Sequence, residues 1–84
     1  MDKPKVNPSA TAELLIHSEL EENCTGWDGN TIFRFTNGQV WQQDTTQKRS
    51  LFLCCPDVRL WRVGSFFYLD VVGARDPLRV RRIQ

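Results

Sequence analysis

The chain has 84 residues, 40% of them hydrophobic, 25% charged and 11% aromatic, with a formal net charge of +1. One small soluble globular domain is the most such a length can hold, and its core must be small. No apolar run approaches the ~20 residues of a membrane-spanning helix, and the two N-terminal lysines have no apolar stretch behind them, so neither a membrane span nor a secretory signal is expected. The protein reads as cytoplasmic.

Residues 1–10, MDKPKVNPSA, carry two prolines and little that can pack, and are read as a disordered leader to a single domain over 11–84. Residues 11–25, TAELLIHSELEENCT, are ambiguous. Ala12, Leu15, Ile16 and Leu20 fit a helical face, and the Ala, Glu and Leu content favours a helix. Leu14, Ile16, Leu20 and Cys24 equally fit one face of a strand.

From Gly26 onward the signals are β. Asp28-Gly29 reads as a turn, and Trp27 as a large ring capping one end of the core. Thr31 to Phe35 is β-branched and aromatic, with Phe33 and Phe35 on one face. Asn37-Gly38 supplies two residues tolerant of positive φ, which predicts a type I′ hairpin turn into the return strand Gln39–Gln43. The polar stretch 44–50 reads as a loop or distorted edge. Leu51 to Cys55 is a short apolar run ending at Pro56. Residues 57–63 and 66–72 alternate around Gly64-Ser65, which suits a type II′ turn. Residues 78–83 close the chain, and their change of apolar parity predicts a bulge near Arg81.

Five or six short strands separated by turns point to an all-β domain. Curling the sheet closed removes its edges and builds one core, so the expectation is a strongly bent, five- to six-stranded antiparallel SH3-like barrel.

Three stretches, Ile16-His17-Ser18-Glu19-Leu20, Gly26-Trp27-Asp28-Gly29-Asn30-Thr31 and Asn37-Gly38-Gln39-Val40-Trp41-Gln42-Gln43, resemble a family of small bacterial proteins of uncharacterised function. Its members read I-x-S-x-I-x-G-x-F-x-G-W-x-G-x-T-x-F-x-L-x-N-G-Q-x-W-Q-Q. The later family segments P-x-V-x-I-Y and V-x-R-L find counterparts in residues 56–61 and 80–83. Glu22 stands where the pattern has Gly, and Cys24 where it has an aromatic residue. The resemblance implies an SH3-like fold and makes 14–25 the first strand, with a bulge near Glu22. That choice replaces the helix. It implies no activity.

Chemistry-bearing patterns are sparse. His17 is the only histidine, and His17 with Cys24 lacks a third orienting group. Three cysteines, two of them adjacent, make neither a disulfide framework nor a zinc motif. They read as buried or half-buried thiols in a reducing compartment. Glu19, Glu21 and Glu22 read as a solvated face rather than a cation site, and Gly26–Gly29 lacks the lysine and helix of a phosphate loop. Neither an enzyme nor a cofactor is expected.

Strand alternation supplies the strongest candidate. If Phe33, Phe35, Val40, Val58, Leu60, Phe67, Leu69 and Val71 point inward, then Ile32, Trp41, Trp61 and Tyr68 point outward, with Arg34, Arg59, Gln39 and Gln43 around them. Trp, Tyr and Arg are enriched at binding hot spots. Ile32, Arg34, Trp41, Arg59, Trp61 and Tyr68 are therefore the expected protein-binding residues, for an unknown protein or peptide or a second copy of the chain. The second reading is nucleic-acid binding through Arg59, Arg62, Arg79, Arg81 and Arg82 with the exposed aromatics. Residues 1–44 carry three basic and seven acidic side chains, and residues 45–84 eight and three. A small barrel that interleaves the halves should neutralise this asymmetry across strands.

Overall fold

A computed structural model describes residues 12–84, so the leader expected over 1–10 lies outside the described residues. The described chain is all β. Its eight strands are β1 (Ala12–Glu19), β2 (Cys24–Trp27), β3 (Ile32–Arg34), β4 (Val40–Gln43), β5 (Arg49–Leu53), β6 (Asp57–Val63), β7 (Phe66–Val71) and β8 (Leu78–Arg82). Six form an antiparallel sheet in the order β1-β6-β7-β8-β4-β3, and β2 pairs with β5 in a separate two-stranded ribbon. No helix among the described residues is long and apolar enough to cross a membrane.

The ends of the six-strand order meet. Leu20 and Phe35 form an isolated antiparallel bridge. Beside it Thr36 N–H donates to the Glu19 carbonyl at 2.8 Å and Glu21 N–H to the Arg34 carbonyl at 2.9 Å. Curvature encloses one core of Phe35, Leu60, Leu69 and Leu78 with their buried neighbours, onto which Leu51 and Leu53 of the ribbon pack.

The strand chosen over the helix for 14–25 is present, but in two pieces. The chain bends at Glu21–Glu22 and leaves the six-stranded sheet for the ribbon. The irregularities fall between Leu14 and Ile16 and between Cys24 and Gly26, not at Glu22. The first turns Leu14 away from the core parity of Ile16 and Leu20. Splitting the first strand and adding β5 raises the strand number from the expected five or six to eight. The ribbon itself needs Gly26, which has φ +113°, and a Cβ there would collide with the Arg49 carbonyl oxygen. Only glycine lets the two backbones approach this closely.

The β3–β4 hairpin differs from expectation by one residue. Gly38 N–H donates to the Phe35 carbonyl at 3.0 Å, and Phe35 N–H to the Gln39 carbonyl at 2.9 Å. Gly38 has φ +94°, whereas Asn37 is not in the left-handed region. This is a three-residue loop, a type I turn followed by a left-handed glycine, rather than a two-residue type I′ turn. Strand β4 therefore slides by one position: Phe33 faces Trp41 and Arg34 faces Val40. A one-residue slip exchanges the two faces of a strand.

The second hairpin is as expected: Val63 pairs with Phe66 across Gly64-Ser65. The bulge expected near Arg81 lies later. Arg81 and Arg82 keep regular register with Gln42 and Trp41, and the amides of Ile83 and Gln84 both donate to the Val40 carbonyl. Two residues there oppose one.

Candidate functional site

The outer face of the six-stranded sheet is built by register. Leu14 lies opposite Trp61, Trp61 opposite Tyr68, and Tyr68 opposite Arg79, so four neighbouring strands place one row on the same face. A second row runs His17, Arg59, Asp70. At the turn end stand Val63 and Phe66. Leu14 and Phe66 are 48% and 49% exposed, whereas Trp61 and Tyr68 are half-buried among their neighbours. The Trp61 indole Nε1 is screened from solvent and has no hydrogen-bond partner.

Charge on this face is held in place. Arg59 lies 3.8 Å from the Asp70 carboxylate. The Arg79 guanidinium sits 4.9 Å from the centroid of the Phe66 ring, a cation–π distance, and its Nε lies 3.6 Å from an Asp44 carboxylate oxygen. Arg81 donates to Gln42 Oε1 at 2.6 Å. Arg79, Arg81 and Tyr68 also wall a shallow cleft of about 850 Å³, whose other side is the 44–47 loop. That loop borders the aromatic face on the cleft side, while 49–53 belongs to the ribbon.

Of the six expected contact residues, Arg59, Trp61 and Tyr68 come together on β6 and β7. Ile32 and Arg34 are exposed on β3. Ile32 shares the face through Gln42 and Arg81, but it lies three strand spacings from Tyr68, roughly 14 Å. Trp41 is a correction. It is 3% exposed, its ring stacks with Phe35 at 6.4 Å and meets Phe67 edge-on at 5.2 Å, and its Nε1 donates to Gln39 Oε1. The hairpin slip described above is the reason. Gln43, expected at the rim, is also buried. Its Oε1 accepts from Gly29 N–H at 2.6 Å, and its Nε2 donates to the Gln47 carbonyl at 2.7 Å and Thr45 Oγ1 at 3.2 Å. It ties the Asp28-Gly29 turn to the 44–47 loop.

The five arginines of the nucleic-acid reading do not form one stripe. Arg59, Arg79 and Arg81 share the outer face, whereas Arg62 and Arg82 have the opposite parity. Arg62 pairs with Glu13 at 2.7 Å, and Arg82 Nε donates to the Gln84 carbonyl. Two of the ion pairs, Arg62–Glu13 and Arg79–Asp44, join the basic half to the acidic half.

Elsewhere, His17 is exposed opposite Arg59, while Cys24 is buried in the core. Glu19, Glu21 and Glu22 are exposed. Among the described residues no group of three His, Cys, Asp or Glu side chains can hold a metal ion. Hydrogen bonds from the Asn30 amide and the Thr31 hydroxyl hold the Asp28 carboxyl below its usual range, which fixes the turn after Trp27. Trp27 itself packs edge-on against Phe33 at 6.3 Å, inside the core.

The sequence reasoning missed Leu14 and Phe66. Phe66 has the parity of Tyr68 and was legible from it. Leu14 reaches the outer face only through the bulge beside it, which no local pattern announces. No family model, curated protein or solved structure matches this chain.

Proposed function

We propose that the protein is a non-catalytic binding module that offers the outer face of its six-stranded sheet to a protein or peptide, a second copy of itself included. The observation that carries this reading is the contiguous Leu14–Trp61–Tyr68 row with Phe66 beside it. Half-buried aromatic rings flanked by arginines are what interface hot spots are made of.

The architecture reads best as a strongly bent SH3-like barrel. The bridge between Leu20 and Phe35 supports it. Free exposed thiols at Cys54 and Cys55 fit a reducing, cytoplasmic setting.

A photo-crosslinking residue in place of Tyr68 tests the reading, with the same residue in place of Thr25, exposed on the ribbon, as control. The expected result is polypeptide adducts from position 68 that disappear with Trp61→Asp. Equal adducts from position 25, or adducts unaffected by Trp61→Asp, would count against it.

Nucleic-acid binding is the second reading, favoured by one feature: Tyr68 shares its cleft with Arg79 and Arg81. A single strand stacked on Tyr68 would bind more weakly as salt rises. Titration of a labelled oligonucleotide at low and moderate salt checks it, and no binding at low salt ends it.

A further inference from the structure

The bend between β5 and β6 carries two thiols side by side. Cys54 and Cys55 are both exposed, although free cysteine is among the residue types most often buried. The sequence led us to expect them buried or half-buried, and Cys24 alone meets that expectation. The corner is anchored at both ends. Leu53 pairs with Cys24 and packs on the core, and the buried Pro56 accepts the Leu20 amide at 3.0 Å.

Cys55 is the one non-glycine residue with positive φ among the described residues, at 46°. Consecutive side chains of an extended strand point to opposite faces, and a left-handed residue breaks that rule. The Cys55 Sγ lies 3.6 Å from Asn23 Oδ1 and 4.0 Å from the Glu21 carbonyl, and Cys54 is its exposed chain neighbour. Partial desolvation and the neighbouring Cys54 thiol push the Cys55 thiol up. Both hold it protonated near neutral pH, which is the wrong state for a nucleophilic or peroxide-sensing cysteine. A tetrahedral ion such as zinc lacks its remaining ligands, because no third metal-binding side chain joins the pair among the described residues. Two adjacent soft donors remain.

We propose that Cys54 and Cys55 form a dithiol chelation site for a soft, thiophilic centre of low coordination number, with trivalent arsenic in an organoarsenical as its representative ligand. The capture is a condensation. Two S–H bonds and the As=O bond break, two As–S bonds form, and the two protons leave with the oxygen as one water. Arsenic stays trivalent, and no oxidant or reductant takes part. The fixed corner supplies the chelate effect, since the second sulfur is already at high effective concentration when the first has bonded.

The test is titration of the reduced full chain with phenylarsine oxide in excess glutathione, followed by intact mass. One adduct per chain is expected, equal to protein plus arsenical less one water, and a small dithiol should reverse it. Cys54→Ser and Cys55→Ser should each weaken capture on the order of 100-fold, and Cys24→Ala should leave it unchanged, with near-ultraviolet circular dichroism reporting the fold of each. If Cys55→Ser disturbs the corner, Cys54→Ser decides alone, since Cys54 has an ordinary φ. Failure of the wild type to form the adduct, full affinity in Cys54→Ser, or loss only in Cys24→Ala would overturn the assignment.

Discussion

Trp41 faces Phe33 across the β3–β4 hairpin, and this pairing turns one tryptophan of the chain inward while Trp61 stays on the outer face. Both residues sit in alternating strands with an aromatic neighbour, and local pattern does not distinguish them. The separation comes from the length of the loop at Thr36–Gly38. With three loop residues, Trp41 lands on the same face as Phe33 and Phe35.

Truncating the two tryptophans should therefore have unequal effects on stability. Trp41→Ala empties a site packed by Phe35 and Phe67 and should cost about 3–5 kcal/mol. Trp61→Ala removes a half-exposed ring and should cost about 1 kcal/mol. Urea unfolding midpoints of the two variants check the order, and equal losses would contradict it.

Two glycines of the same stretch should respond differently to alanine. At Gly26 the added Cβ meets the Arg49 carbonyl, so Gly26→Ala should separate β2 from β5 and prevent stable folding. At Gly29 the Cβ would enter open space and only the positive φ resists. Gly29→Ala should cost about 1–3 kcal/mol of backbone strain. Thermal melts of both variants distinguish backbone collision from backbone strain.

Gln43 holds two loops with one buried amide. Gln43→Ala leaves the Gly29 N–H and the Gln47 carbonyl without their partner. Both groups are only partly screened from water, so the loss should be about 1 kcal/mol. Amide exchange should quicken at Gly29, and a variant that keeps its protection there would show that Gln43 is dispensable.

Acid should loosen the turn after Trp27. The Asp28 carboxyl accepts from the Asn30 amide and the Thr31 hydroxyl, so its folded pKa lies below the ordinary 3.8. The unfolded chain then binds the proton more readily. The contribution to stability is present above 3.8 and is lost as pH falls through the lower folded value. Asp28→Asn should flatten the part of the stability curve that falls away below pH 3.8. An unchanged acid limb would show that the turn does not depend on the carboxylate.

The parts of the fold that alternate cleanly were legible. Val58, Leu60, Leu69 and Val71 are buried as their parity requires, and Gly64-Ser65 turns the chain where two-residue chemistry predicts. The β4 register was not legible, because Asn-Gly serves both a two-residue type I′ loop and the end of a three-residue type I loop. Choosing between them depends on where Phe35 finds its second partner, Leu20, far away in sequence. The ribbon was hidden for a similar reason. Residues 44–50 are polar, and β5 exists only because Gly26 lets Arg49 and Ser50 come close. Half of the candidate site followed from parity on β6 and β7. Trp41 and Gln43 were misplaced by the same single residue of loop length.

The division between inner and outer face is the claim from which the binding proposal is built, and nuclear Overhauser effects between α-protons test it directly. In an antiparallel pair only the non-hydrogen-bonded partners bring their α-carbons to ~4.5 Å. The Gln43 and Phe35 amides donate to the Thr31 and Gln39 carbonyls, so the non-hydrogen-bonded pairs are Arg34–Val40 and Ile32–Gln42. Strong α-proton contacts between those two pairs are the predicted result. Contacts instead between Phe35 and Val40 and between Phe33 and Gln42 would mean a two-residue loop, with Trp41 on the outer face, and would contradict the account.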